Sequence, residues 1–287
     1  MTLTRSTRRR PGFRPKKRLG QHFLVDSEII RQIIALAGFQ VSDMVLEIGP
    51  GQGALTLPLA QSVRHVVAVE KDTELIALLK KKLSQAGICN VTLINHDILT
   101  FNISDIKGFP SNRLRIIGNL PYNISSPLLE KLTENRNLIS RAVLMFQMEV
   151  AQRIIASPGR KTYGAMTLLV QYHAHPTVLL EVSKNAFRPK PKVDSMVLEL
   201  DFDHPNTKRT VHESDFKEVV KGAFAYRRKT ILNSLARASS TWGRDELLDA
   251  MEKCEIDAGR RAETLNMSDF LRLTSFLTLT KERRDDI

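Results

Sequence analysis

Cysteine is nearly missing from this chain: among 287 residues only Cys89 and Cys254 carry a thiol. Two thiols so far apart build neither a disulfide framework nor a thiolate metal cluster, and such usage fits a reducing compartment, with the cytoplasm as the expected location. Long apolar runs are also missing. None approaches the ~20 residues that cross a bilayer as a helix, which argues against a membrane protein. The seven histidines do not gather with carboxylates at ligand spacings, so no metal is expected. No internal repeat or low-complexity tract is visible.

The first 25 residues lack acid altogether. They carry Arg5, Arg8, Arg9, Arg10, Arg14, Lys16, Lys17 and Arg18, eight of the twelve net positive charges of the chain. A single-sign arm repels itself, stays extended and is drawn to a polyanion, so Arg8, Arg9, Arg10, Lys16 and Lys17 are candidate contacts to nucleic acid. The bland alternative is a solvated tail without a specific role. No apolar segment follows the arginines as a secretory signal requires.

With 42% hydrophobic and 26% charged residues the composition is that of an ordinary globular chain, and this length is enough for one large core and a smaller one. Ile29, Ile30, Ile33, Ile34 and Ala37 recur at helical spacing behind Ser27, the expected cap. Asp43 to Ile48 reads as a buried strand, and the helix after it is expected to break or kink at Pro58. A strand (65–70), a charged amphipathic helix (73–85) and a third strand (91–95) follow. Further strand candidates at 113–119, 142–147, 177–182 and 195–202 bring the total to about seven. This alternation predicts an α/β chain with a mainly parallel sheet covered by helices. After Asp203 the strand-like runs cease. A helical region is expected from about residue 206, with helices over 215–226, 229–238, 245–254 and 268–277, the last opening at a serine cap.

The first strand runs into Glu47-Ile48-Gly49-Pro50-Gly51-Gln52-Gly53, at the carboxyl end where open α/β sheets bind ligands. Glycines let a cofactor lie against backbone. Glu70, at the end of the next strand, can accept both ribose hydroxyls, and Asp97, after the third, can accept from an adenine amine. The loop also fits the dinucleotide fingerprint of NAD enzymes through Gly49, Gly51 and Ala54, so an oxidoreductase stays open, as does a plain turn. Glu47, placed to meet a methionine amino group, points instead to S-adenosylmethionine.

Asn119-Leu120-Pro121-Tyr122 follows the fourth strand. Adenine N6 is a poor nucleophile because its lone pair is delocalised into the ring. An amide oxygen from Asn119 and a backbone carbonyl of Leu120 or Pro121 can each accept an N–H, steering that lone pair toward a sulfonium methyl group. Pro121 fixes the turn, and Tyr122 can stack on an extruded base. Read alone, the tetrapeptide is also an ordinary turn capped by Ser125 or Ser126. A second aromatic, Phe187, opens a proline-stiffened loop whose Arg188, Lys190 and Lys192 are placed to meet phosphates while the ring closes over the base.

Together with Gly20-Gln21-His22-Phe23-Leu24 and Arg227-Arg228-Lys229-Thr230, these motifs resemble the ribosomal RNA adenine dimethyltransferases over nearly the whole chain. The resemblance implies a Rossmann-like class I methyltransferase domain over 26–205, with a small C-terminal all-α domain over 206–287 that binds rRNA through Arg227, Arg228 and Lys229. It implies the bacterial small-subunit type, which dimethylates two adjacent adenosines in the 3′-terminal hairpin of 16S rRNA. It also implies that His22, Leu24, Gly49, Glu70, Asp97 and Asn119 contact the cofactor, Asn119 serving the target as well. His22 stands where asparagine is common in the family, and Met148 where lysine is common. Two rivals remain open: the related enzymes that methylate one large-subunit adenine and confer macrolide resistance, and a non-catalytic RNA-binding assembly factor. A monomer is expected.

Overall fold

The computed structural model describes residues 20–106, 113–205 and 212–285. The basic arm with Arg8, Arg9, Arg10, Lys16 and Lys17, and the junction expected near residue 206, lie outside the described residues.

The chain opens with a two-residue strand β1 (Phe23–Leu24) and helix α1 (Ser27–Ala37). The cap of α1 is Asp26 rather than Ser27: its extended backbone lets the carboxylate accept from the amides of Glu28 and Ile29 at 3.0 and 3.2 Å, and a carboxylate also suits the positive end of the helix. Then come β2 (Met44–Ile48), α2 (Thr56–Ala60), β3 (His65–Glu70), α3 (Thr73–Gln85) and β4 (Val91–Asn95). Pro58 does not break α2. The helix begins at Thr56, so the proline sits in its first turn, where an amide hydrogen has no intrahelical partner to lose.

After β4 come β5 (Leu114–Asn119), α4 (Ser125–Glu134), β6 (Ile139–Gln147), α5 (Met148–Ile154), α6 (Ala165–His173), β7 (His175–Val182), β8 (Phe187–Arg188), which pairs with β1 apart from the main sheet, and β9 (Ser195–Asp201). Ser125 does not cap α4. Its hydroxyl donates to the Tyr122 carbonyl at 3.3 Å. The seven main strands lie in the order β4-β3-β2-β5-β6-β9-β7, parallel from β4 to β6, with β9 antiparallel to both of its neighbours. The chain runs outward from β2 to β4 and returns to β5 on the other side of β2. That reversal leaves a crevice beyond the carboxyl ends of β2 and β5.

Alternation fills both faces. Leu46, Ile48, Val67, Val69 and Ile116 pack on one side, and Val45, Val66, Ala68, Ile117 and Val143 on the other. Four helices follow: α7 (Glu213–Phe224), α8 (Ile231–Ala238), α9 (Arg244–Lys253) and α10 (Met267–Asp285). Asn266, not Ser268, opens α10. Its side chain accepts from the Asp269 amide while Asp269 accepts from the Asn266 amide, each at 3.0 Å, as in a capping box. Trp242 is buried and donates its indole N–H to the Leu277 carbonyl at 3.1 Å. The core of this helical region also takes in Tyr163, Leu168 and Tyr172 from α6 and the segment before it. Among the described residues no helix is long and apolar enough to cross a membrane.

Candidate active site

At the crevice lies a cavity of about 380 Å³, within the size of small-molecule sites. It is lined by Glu47, Gly49 and Gly51 after β2, Glu70 after β3, Asp97 after β4, Asn119 to Tyr122 after β5, and His22 and Leu24 from the N-terminal segment. The expected cofactor residues are therefore gathered in one cleft, together with the Asn-Leu-Pro-Tyr motif.

The glycines are required by geometry. Gly49 and Gly51 adopt φ of 66° and 55°, and a β-carbon on Gly51 would press on the Phe23 ring at 3.2 Å. This brings the backbone loop directly under β1. Glu70 accepts from the amides of Gly51 (3.1 Å) and Asp72 (2.8 Å), which fixes its carboxylate at the cleft floor. Burial pushes the Glu70 carboxyl above the ordinary carboxylate range against these two amides, and nearby Asp72 adds to the rise.

Glu47 is 1% exposed and its Oε2 is buried without a partner. Burial pushes its pKa up to about 8, against the pull of the Thr56 hydroxyl and with a contribution from Glu70. A buried, unsatisfied carboxyl oxygen at the floor of a cleft is a ready acceptor for a cationic ligand group. An amino-acid ammonium at Oε2, ribose hydroxyls at Glu70 and an adenine amine at Asp97 would fill these three positions, and S-adenosylmethionine carries all three groups. Asp97 lies at the rim, bound by Lys71 Nζ at 2.7 Å and by the Leu99 amide at 3.0 Å. The Lys71 bond holds its carboxyl below the ordinary range.

Asn119 donates one Nδ2 hydrogen to the His22 carbonyl at 3.2 Å. No described hydrogen bond engages its Oδ1, which leaves that oxygen to accept from an incoming amine. The Tyr122 hydroxyl is hydrogen-bonded to Ser195 at 3.2 Å, and its ring stacks on His22. Partial burial raises the Tyr122 pKa, opposed by that bond, so the phenol stays protonated.

Phe187 departs from expectation. It is fully buried, pairs with Leu24 through β8 and β1, and packs with Leu24, Val182 and Val197. As placed, it has no open face for a base. Its ring anchors the loop whose Arg188, Lys190 and Lys192 are exposed. Arg188 bends back to the carbonyls of Asn185 and Phe187 at 3.1 and 2.8 Å.

Arg227, Arg228 and Lys229 are exposed in the turn between α7 and α8. Here the sequence reading missed neighbours. Arg227 donates to the Lys161 carbonyl (3.3 Å), Gly159 to Glu263 (2.7 Å) and Ile231 to Arg260 (2.8 Å). Three loops thus converge, adding the exposed Arg160, Lys161 and Arg261 to one basic surface. Lys71 and Gly118 were also missed, and Gln21 was read only as part of the motif that carries the family resemblance. Gln21 donates to Asp72 at 3.0 Å and ties the N-terminal segment to the start of α3. Only Gly118 had a possible signal, a lone glycine inside an apolar strand. Among the described residues no group of three or more His, Cys, Asp and Glu side chains is arranged to hold a metal.

Comparison with known proteins agrees with this geometry. Residues 12–279 match the family described as ribosomal RNA adenine dimethylase. A relative from Desulforapulum autotrophicum, named ribosomal RNA small subunit methyltransferase A, is 45% identical over 91% of this chain and 92% of its own. One of the same name from Geobacter sulfurreducens is 42% identical over 93% and 96%. Among solved structures, a dimethyladenosine transferase from Plasmodium falciparum superposes with a TM-score of 0.73 at 28% identity, covering 91% of this chain and 98% of that one. The 23S rRNA methyltransferase ErmE gives 0.66 at 27%, covering 89% and 99%.

Proposed function

Because the chain belongs to the ribosomal RNA adenine dimethylase family, we propose that it methylates N6 of two adjacent adenosines in the 3′-terminal hairpin of 16S rRNA, twice each. The methyl donor is S-adenosylmethionine, whose sulfonium supplies an electrophilic methyl group. The observation that carries this reading is the Asn119 amide, turned by its bond to His22 so that Oδ1 can accept from the target amine beside the cofactor cleft. That acceptor, with a carbonyl of Leu120 or Pro121, draws the amine out of conjugation, and Tyr122 supplies the stacking platform for the extruded base. No shifted general base is needed, because the proton can leave after the methyl group has arrived. Positioning and hydrogen bonding carry the reaction.

The small-subunit assignment is supported by the relatives named ribosomal RNA small subunit methyltransferase A, 45% and 42% identical over more than nine-tenths of this chain. We assign the chain three parts: a basic arm over 1–25, a methyltransferase domain over 26–205 and a helical rRNA-binding domain over 206–287. The arm, the loop cations Arg188, Lys190 and Lys192, and the surface of Arg227, Arg228, Lys229, Arg160, Lys161 and Arg261 meet phosphates. The protein works as a cytoplasmic monomer in small-subunit biogenesis.

The test is transfer from labelled S-adenosylmethionine to ribosomal subunits lacking adenine methylation, with mass-spectrometric mapping. Dimethyladenosine at an adjacent pair near the 3′ end of 16S rRNA is expected. Label on the large subunit selects the resistance-type activity, and no transfer selects an assembly factor.

A further inference from the structure

Three parts of the target site that are distant in sequence meet at His22. Its carbonyl accepts from Asn119 Nδ2 at 3.2 Å. Its imidazole stacks on Tyr122, with ring centroids 5.4 Å apart and planes at 27°. Its Nδ1 lies 2.7 Å from the Pro189 carbonyl oxygen. A carbonyl can only accept, so Nδ1 carries the hydrogen and donates it.

We propose that the His22 side chain is a positioning residue for the target base: it backs one face of Tyr122, reserves the other face for the base, and fastens the 187–192 loop beside it. This rests on the reading of Asn119 to Tyr122 as the adenine site. With its hydroxyl held, among the described residues, only by Ser195 at 3.2 Å, Tyr122 would be anchored at one end and free to tilt. The imidazole adds a second constraint on the ring plane, and a platform fixed beforehand loses less entropy when a base docks. Phe187, fully buried, cannot be that second ring, so the aromatic neighbour of Tyr122 comes from the N-terminal segment instead. The bond to Pro189 ties this arrangement to the loop bearing Arg188, Lys190 and Lys192. A phosphate contact on the loop is thereby coupled to the ring that receives the base.

The bond to Asn119 uses the His22 backbone, so side-chain replacement spares the amide's orientation and isolates the ring. His22→Ala removes both ring functions. His22→Phe keeps a stackable ring without the donor, and His22→Asn keeps a donor near the Nδ1 position without the ring. Single-turnover transfer to unmethylated small subunits at saturating S-adenosylmethionine should fall about tenfold in His22→Ala and in His22→Asn, and recover to within about threefold of wild type in His22→Phe. His22 also lines the cofactor cleft, so calorimetric affinity for S-adenosylmethionine is measured for each variant and every rate is compared at that variant's own saturating concentration. The proposal is overturned if the rate of His22→Ala equals wild type, if His22→Phe is as slow as His22→Ala, or if the loss in His22→Ala is entirely a weakened cofactor affinity. Failure of the underlying functional reading looks different, because the wild-type protein itself would then leave small subunits unlabelled.

Discussion

A β-carbon on Gly118 would lie 2.8 Å from the carbonyl oxygen of Ile48, because β5 and β2 run side by side just before each delivers its functional loop. No side chain fits there without moving one strand. Gly118→Ala should therefore displace Asn119, the next residue, from its place opposite the cofactor loop. Overpacking of this kind costs about 1–3 kcal/mol. A lower melting temperature together with a loss of transfer larger than the loss of folded protein is expected. Unchanged kinetics would mean that the strands yield without moving Asn119.

Glu47 gives the cofactor-free protein a pH signature. Its carboxyl is raised from 4.5 to about 8 by burial, so from pH 4.5 upward the unfolded chain gives up a proton that the folded chain keeps. Folding stability from this group is full below pH 4.5 and is lost progressively until about pH 8, by an amount on the order of 5 kcal/mol. Glu47→Gln should abolish that loss, seen as a urea midpoint that falls less between pH 6 and 8 than in wild type. The same substitution should weaken S-adenosylmethionine binding and remove the proton released on binding at pH 7, which calorimetry in buffers of different ionisation enthalpy measures.

Asn119→Ala should lower methyl transfer by at least about a hundredfold, since it removes the acceptor on which the amine depends. Affinity for RNA should stay within about threefold, as the basic surfaces are untouched. Filter binding alongside single-turnover kinetics separates the two.

Phe187→Ala should act through packing. Emptying a fully buried phenylalanine site costs about 3–5 kcal/mol, so denaturant unfolding should show a large loss. Phe187→Leu, which refills most of the space, should restore stability and most of the activity. A folded, fully stable Phe187→Leu that fails to transfer would return the ring to a direct role at the base.

Replacing Arg227, Arg228 and Lys229 together by alanine should weaken binding to rRNA of any sequence and reduce the slope of log affinity against log salt by about 2–3. An unaltered slope would place the phosphate contacts elsewhere, with the N-terminal arm as the next segment to delete.

The sequence by itself determined the sheet and the floor of the site. Apolar runs such as those over 65–70 and 195–202 are local signals of buried strands, and Gly49, Gly51, Glu70 and Asp97 could be placed at strand ends because each lies next to its strand in the chain. The short helix α5 and the largely apolar α6 escaped, the first for its length and the second because a helix buried on most sides shows no amphipathic stripe. Tertiary structure alone decided the rest. Pairing of Leu24 with Phe187 buries a ring that local reading places over a base, and the same pairing carries His22 onto Tyr122. The basic surface of three loops is likewise assembled from residues near 160, 228 and 261. Periodicity records which face of an element is apolar. It does not record which distant element will cover that face, and long-range pairing set which aromatic stays open at the site.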